Sequence, residues 1–221
     1  MRPRLHHRVG GVTAARLPDR LLAVTPGTAR GADDAQELAR AVGVAWEAGL
    51  RSILVREPHL SDGETLRLVR RLLGLEEVWV GVHDRLHVTL AAGADGVHLG
   101  HRSLTPREAR AVAGAEVCLG FSAHQHDSAS EREGADYLFF GPLHDTPSKR
   151  GLLAPTGHAP LTRCAVGFDG PVWAIGGMRP ERVARAREAG AYGVAVLSDL
   201  LGSPRPGERA RAWCEEPACR G

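Results

Sequence analysis

No stretch of this 221-residue sequence is apolar for long enough to cross a membrane, and its opening, MRPRLHHRVGGVTAARLP, carries arginines without the unbroken apolar segment of a secretory signal. A cytoplasmic protein with no membrane partner is expected. Cysteine is sparse: Cys118, Cys164, Cys214 and Cys219 are scattered, with neither the paired spacing nor the nearby histidines of a zinc site, so they read as free thiols in a reducing compartment. Charge of one sign is lacking too. The 28 basic and 26 acidic side chains leave a formal charge of +2, which argues against a dedicated nucleic-acid surface even though the first twenty residues are locally basic. Polar linkers are also missing after residue 20, so residues 21–215 read as one domain, preceded by a flexible basic extension (1–20) and followed by a short tail (216–221).

What is present is a repeated apolar pattern, and 43% hydrophobic content is enough for a substantial core. Runs at Leu21–Thr25, Ser52–Val55, Val78–Val82, Gly96–Leu99, Val117–Phe121, Tyr137–Phe140, Val172–Ile175 and Tyr192–Leu197 read as strands. Several lack polar alternation. Strands of that kind are covered on both faces, as in parallel sheets flanked by helices. Helical patterns fall between them: Asp34–Glu47 with Asp33 or Asp34 as cap, Asp62–Leu73, His87–Ala92, a helix opening at Thr105-Pro106, Ser128–Glu133, a segment within Leu161–Phe168, Pro180–Ala189 and Arg205–Trp213. Eight strand–helix units without a break predict an α/β fold, a single (β/α)8 TIM barrel.

In such barrels the chemistry gathers on loops at the strand C-terminal ends. The loops after the last two strands commonly hold phosphate, and here they carry Gly176-Gly177 and Ser198; a glycine pair also makes ordinary turns. The loop after the sixth strand, HDTPSKR, offers Thr146, Ser148 and Lys149 to an anion, or is a solvated basic turn. Arg56 can clamp an anionic group, and Glu57 can hold a neighbouring basic side chain. Ser122 lacks a hydrolase elbow and reads as an orienting or phosphate-bonding hydroxyl. His124 is the best acid–base group, its alternative being a capping or exposed histidine. His98 and Asp95 read as structural.

The motifs VRE (Val55–Glu57), HDR (His83–Arg85), GADGVHLG (Gly93–Gly100), SAH (Ser122–His124), DYLFFGPLHDTPSKRG (Asp136–Gly151) and AIGGM (Ala174–Met178) resemble, in order and spacing, the thiamine phosphate synthase superfamily with its thiazole tautomerase relatives. The resemblance runs from about Leu21 to Leu201 and implies a phosphorylated thiazole as the small-molecule partner. The synthase branch couples a hydroxymethylpyrimidine diphosphate to thiazole phosphate with the help of Mg2+, and its pattern has Lys, Asn and Asp where this chain has Pro58, His83 and Ser103; Asp84 alone remains as a metal ligand. The tautomerase branch aromatises a carboxythiazole phosphate with a histidine matching His124 and with no cofactor. On these residues the expectation is an isomerase, a tautomerase using His124. A divergent Mg2+-dependent synthase and a non-catalytic phosphate-ligand sensor are the alternatives, and exposed barrel helices are compatible with a homodimer.

Overall fold

The computed structural model describes residues 8–9, 12–13, 15–125, 127–146 and 154–219. Arg8–Val9 and Val12–Thr13 pair as a small antiparallel ladder. The strands that follow are β1 (Leu21–Val24), β2 (Ser52–Val55), β3 (Trp79–His83), β4 (Gly96–Leu99), β5 (Cys118–Ala123), β6 (Tyr137–Phe140), β7 (Val172–Ile175) and β8 (Gly193–Val196). All are parallel, and they close as β8-β1-β2-β3-β4-β5-β6-β7. The eight-stranded parallel barrel with flanking helices is therefore the TIM-barrel fold read from the sequence.

The unalternated runs are explained by what covers each face. Leu22, Val24, Leu54, Trp79, Cys118, Tyr137, Phe139, Trp173 and Ala195 point inward and pack together; their chain neighbours Leu21, Ala23, Leu138, Phe140, Val172 and Ala174 belong to the layer under the helices. Period-two alternation is thus still there, but both sets are apolar because neither face meets water. The N-terminal end of the barrel is sealed by residues 15–20. Ala15 and Leu17 pack on the inner cluster, the Trp79 indole N–H donates to the Arg16 carbonyl (2.8 Å), and that of Trp173 donates to the Asp19 carbonyl (3.0 Å). Both indole rings are fully buried.

The outer helices are α1 (Ala32–Glu47), α2 (Asp62–Leu72), α3 (Leu86–Ala92), α4 (Pro106–Ala113), α5 (His158–Val166), α6 (Val183–Glu188) and α7 (Pro206–Glu215). Complete capping boxes start α2 (Ser61 with Glu64) and α4 (Thr105 with Glu108), each cap contributing about 1 kcal/mol. Two local expectations differ. Helix α1 begins at Gly31 without a side-chain cap, because Asp34 instead accepts the Arg30 N–H at 2.8 Å. Between β5 and β6 only a 3-10 turn forms, Ser130–Arg132. Gly134 follows it at φ +93°, packed where a Cβ would lie 3.1 Å from the Arg107 main chain, and so turns the connection back toward β6 before a longer helix can grow. Among the described residues no helix is long and apolar enough to cross a membrane.

Candidate functional site

The C-terminal ends of the strands open into a cavity of about 490 Å³, within the range of small-ligand sites. Its lining includes Arg56, Ser122, His124, Thr146, Gly176, Gly177 and Ser198, which brings together every described residue picked out from the sequence as catalytic or phosphate-binding. Ser148 and Lys149 lie outside the described residues. The barrel order sets two groups apart. Gly176-Gly177 and Ser198 follow the adjacent strands β7 and β8, whereas Arg56, Arg102 and Ser122 belong to β2, β4 and β5 on the other side. At Gly176 and Gly177 the φ angles are +97° and +61°, and a Cβ at Gly177 would lie 2.7 Å from the Asp145 carbonyl oxygen. A side chain is thus excluded on two counts, and the main chain itself forms that wall.

On the opposite wall the loops are braced by buried polar groups. Glu57, 4% exposed, accepts the Gly27 and Ala29 N–H groups (2.9 Å each). It therefore pins the loop after β1 rather than a basic side chain. The Arg56 N–H is held in turn by the Thr25 hydroxyl (2.8 Å). His124 sits just past β5, with Nδ1 3.1 Å from the Gly141 carbonyl oxygen. A carbonyl can only accept, so Nδ1 carries the hydrogen of this contact. The ring stacks on His101 (4.8 Å between centroids, 16° between planes), while Asp127 accepts the His124 N–H at 2.6 Å.

Two places offer metal-ligating groups. Asp84, at φ +61°, accepts from the Gly100 N–H (2.9 Å) and the Ser103 hydroxyl and pairs with His83 Nδ1 (3.0 Å). Burial works against its charge, but the His83 contact together with the Ser103 and Gly100 donors holds the carboxyl well below the usual range. One carboxylate engaged by three protein donors is a poor magnesium set, since that ion seeks oxygen ligands in an octahedron. His101, Asp127 and Glu131 make the second place: their ligand atoms lie within 4.8 Å of one another, a cluster that can coordinate a divalent ion. His101 was not singled out from the sequence, because its partners come from the next strand–helix connection.

The other feature missed is the polar chain inside the barrel. His98, on β4, lines the cavity although it is fully buried; its Nε2 is 2.9 Å from the Ser122 hydroxyl and its Nδ1 is 3.2 Å from that of Tyr137. Burial, reinforced by nearby His83 and opposed by Asp84, drives its pKa well below the ordinary 6.5. The folded chain therefore refuses a proton that the unfolded chain accepts. Stability contributed by neutral His98 is present above pH of about 6.5 and declines as pH falls below it, by up to about 1.4 kcal/mol per unit for this group. Urea unfolding between pH 7.5 and 5 is expected to show that decline, with a shallower slope in His98→Gln; parallel slopes would contradict it.

The sequence profile of the thiamine monophosphate synthase family matches residues 21–200. The chain is 35% identical over 201 residues to the thiamine-phosphate synthase of Roseiflexus castenholzii, covering 87% of each protein. It is 45% identical over 140 residues to that of Salinispora arenicola, covering 62% of this chain and 67% of the relative. Among solved structures, thiamine phosphate pyrophosphorylase from Pyrococcus furiosus superposes with a TM-score of 0.74 at 26% identity, covering 88% of this chain and 93% of that one. None of these relatives is named as a thiazole tautomerase. The expectation of an isomerase working through His124 is corrected accordingly: the names are those of a transferase, and differences at three positions (Pro58, His83, Ser103) do not outweigh a likeness that runs the length of the barrel. By that profile and those relatives, this chain belongs to the thiamine monophosphate synthase family.

Proposed function

We propose that the protein is a thiamine-phosphate synthase, joining a hydroxymethylpyrimidine, carried as its diphosphate, to the ring nitrogen of thiazole phosphate with release of pyrophosphate. The observation that carries this reading is the division of one cavity into two anion-handling walls: a glycine main-chain wall with Ser198, and across from it Arg56, Arg102 and Ser122. A coupling of two phosphorylated reactants calls for a phosphate site on each side of the cavity, and the two walls supply them.

In this reading Gly176, Gly177, Ser198 and Thr146 take the thiazole phosphate, where backbone N–H groups and hydroxyls replace its water. Ser148 and Lys149 are assigned to the same phosphate by residue type alone. Arg56 and Ser122 face the diphosphate. The carbon–oxygen bond to the diphosphate breaks, its electron pair leaving with pyrophosphate, and the thiazole nitrogen supplies the pair for the new carbon–nitrogen bond. No proton is lost in making the thiazolium, so His124 is assigned to orient a ring rather than to carry a proton. A divalent cation held by His101, Asp127 and Glu131 would supply positive charge to the leaving group. Holding the two rings in line within one closed site supplies the rest of the advantage, by converting an encounter of three bodies into a step within a complex. The reading carries a cytoplasmic location, small phosphorylated ligands rather than nucleic acid, and accommodates a homodimer.

Purified protein incubated with both substrates and Mg2+ or Mn2+ is expected to yield thiamine phosphate and pyrophosphate in equal amounts, and neither when one substrate is withheld. No product with either cation would overturn the assignment.

A further inference from the structure

Three side chains run in file from the barrel interior to the cavity. Tyr137 is fully buried, its hydroxyl 3.2 Å from His98 Nδ1, and His98 Nε2 is 2.9 Å from the Ser122 hydroxyl. The imidazole is clamped by Phe139, whose ring centroid lies 3.9 Å away at 30°. Space for the pair comes from Gly120, where a Cβ would meet the Tyr137 ring at 2.2 Å and His98 Nδ1 at 2.5 Å.

The direction of each bond follows from the inner end. Among the described residues the Tyr137 hydroxyl has His98 as its one hydrogen-bond partner. A buried O–H without an acceptor is costly, whereas an unused lone pair is not, so the phenol donates to Nδ1. Burial and His83 keep the imidazole neutral, with one hydrogen only. That hydrogen must then be on Nε2, which donates to the Ser122 oxygen. Ser122 is left with its own hydrogen pointing away from His98, toward the cavity it lines. In the reverse arrangement the Tyr137 hydrogen would be stranded and Ser122 would spend its hydrogen on His98.

We infer that Tyr137 and His98 are positioning residues of a one-way relay that presents Ser122 to the cavity as a hydrogen-bond donor, aimed at an anionic phosphate oxygen. The identity of that anion as the diphosphate of the coupling reaction rests on the proposed function. The relay itself does not. A fixed donor costs no reorganisation when charge develops on the oxygen that it faces.

The experiment reads the two separately. In ligand-free protein labelled with 15N-histidine, and with His98 identified by loss of its signals in His98→Gln, the ring is expected as the Nε2–H tautomer. In Tyr137→Phe, which keeps the ring, that tautomer is expected to be lost. Calorimetric binding of inorganic pyrophosphate is expected to weaken about tenfold in Tyr137→Phe and in Ser122→Ala, the worth of one hydrogen bond to a charged group. The double variant is expected to be no weaker than Ser122→Ala alone, and Ser122→Thr, which restores a hydroxyl, to bind near the original strength. An Nδ1–H ring in the unsubstituted protein, or undiminished pyrophosphate binding by Tyr137→Phe, overturns the relay whatever reaction the enzyme performs. Failure to form thiamine phosphate while the Nε2–H ring and the tenfold losses hold would instead strike the coupling reaction alone.

Discussion

Arg56→Ala is expected to slow pyrophosphate release by about a hundred- to a thousandfold, the usual consequence of deleting a fixed donor that faces charge developing in the transition state. Arg56 directly follows β2, its N–H is tied to the buried Thr25, and it lines the cavity on the wall away from the two glycines. The loss should therefore appear in kcat, with the KM for thiazole phosphate little changed, because the site proposed for that substrate lies across the cavity. Arg56→Lys should recover only part of the rate, since an ammonium brings a charge without the planar fork that meets two oxygens at once. Arg102 stands at the exposed rim, where water screens it, and Arg102→Ala should cost much less. Steady-state rates of pyrophosphate formation check all three. An Arg56→Ala enzyme within threefold of the unsubstituted one would remove Arg56 from the proposed diphosphate site.

The largest expected loss of stability comes from adding one methyl group at Gly120. The clash with Tyr137 and His98 cannot be relieved by swinging a flexible end aside, because one partner is an aromatic ring packed among Trp79, Phe139 and Trp173 and the other is clamped by Phe139. Overpacking of this kind costs about 3 kcal/mol. For a chain of this length that is a fall of about 6–12 °C in Tm. Gly43, inside α1, provides the opposite case: a Cβ there meets nothing within 4 Å, so Gly43→Ala should raise stability by about 0.5–1 kcal/mol through helix propensity. Thermal unfolding of the two variants is expected to shift in opposite directions. Equal shifts would mean that the space around Gly120 is not needed by the buried rings.

The barrel was legible because its strands are short apolar runs closed by turn residues, and Gly141-Pro142 or Gly176-Gly177 can hardly be read otherwise. Helix boundaries were less so. Asp34 looks like a cap but serves the residue before the helix, and the connection at Ser128–Glu133 has helix-forming residues yet is turned back by Gly134. The cavity residues were legible as a set, since position at a strand end is enough to place them. Their division into two walls was not, because it depends on ring closure bringing β8 beside β1. His98 read as structural for a sound reason, an isolated histidine in an apolar strand, and only the distances to Tyr137 and Ser122 join it to the cavity. The reaction itself was misjudged by weighing Pro58, His83 and Ser103 singly. The cluster of His101, Asp127 and Glu131 could not be weighed against them, because it forms only where two neighbouring strand-end loops meet.

The two indole N–H groups that grip residues 16 and 19 have a bearing on traffic. With the N-terminal end stoppered, the barrel is a vessel with its opening at the strand C-terminal ends, and any ligand of the cavity enters and leaves through that one doorway. The stopper thus leaves the cavity a single face to solvent, the one ringed by the strand-end loops.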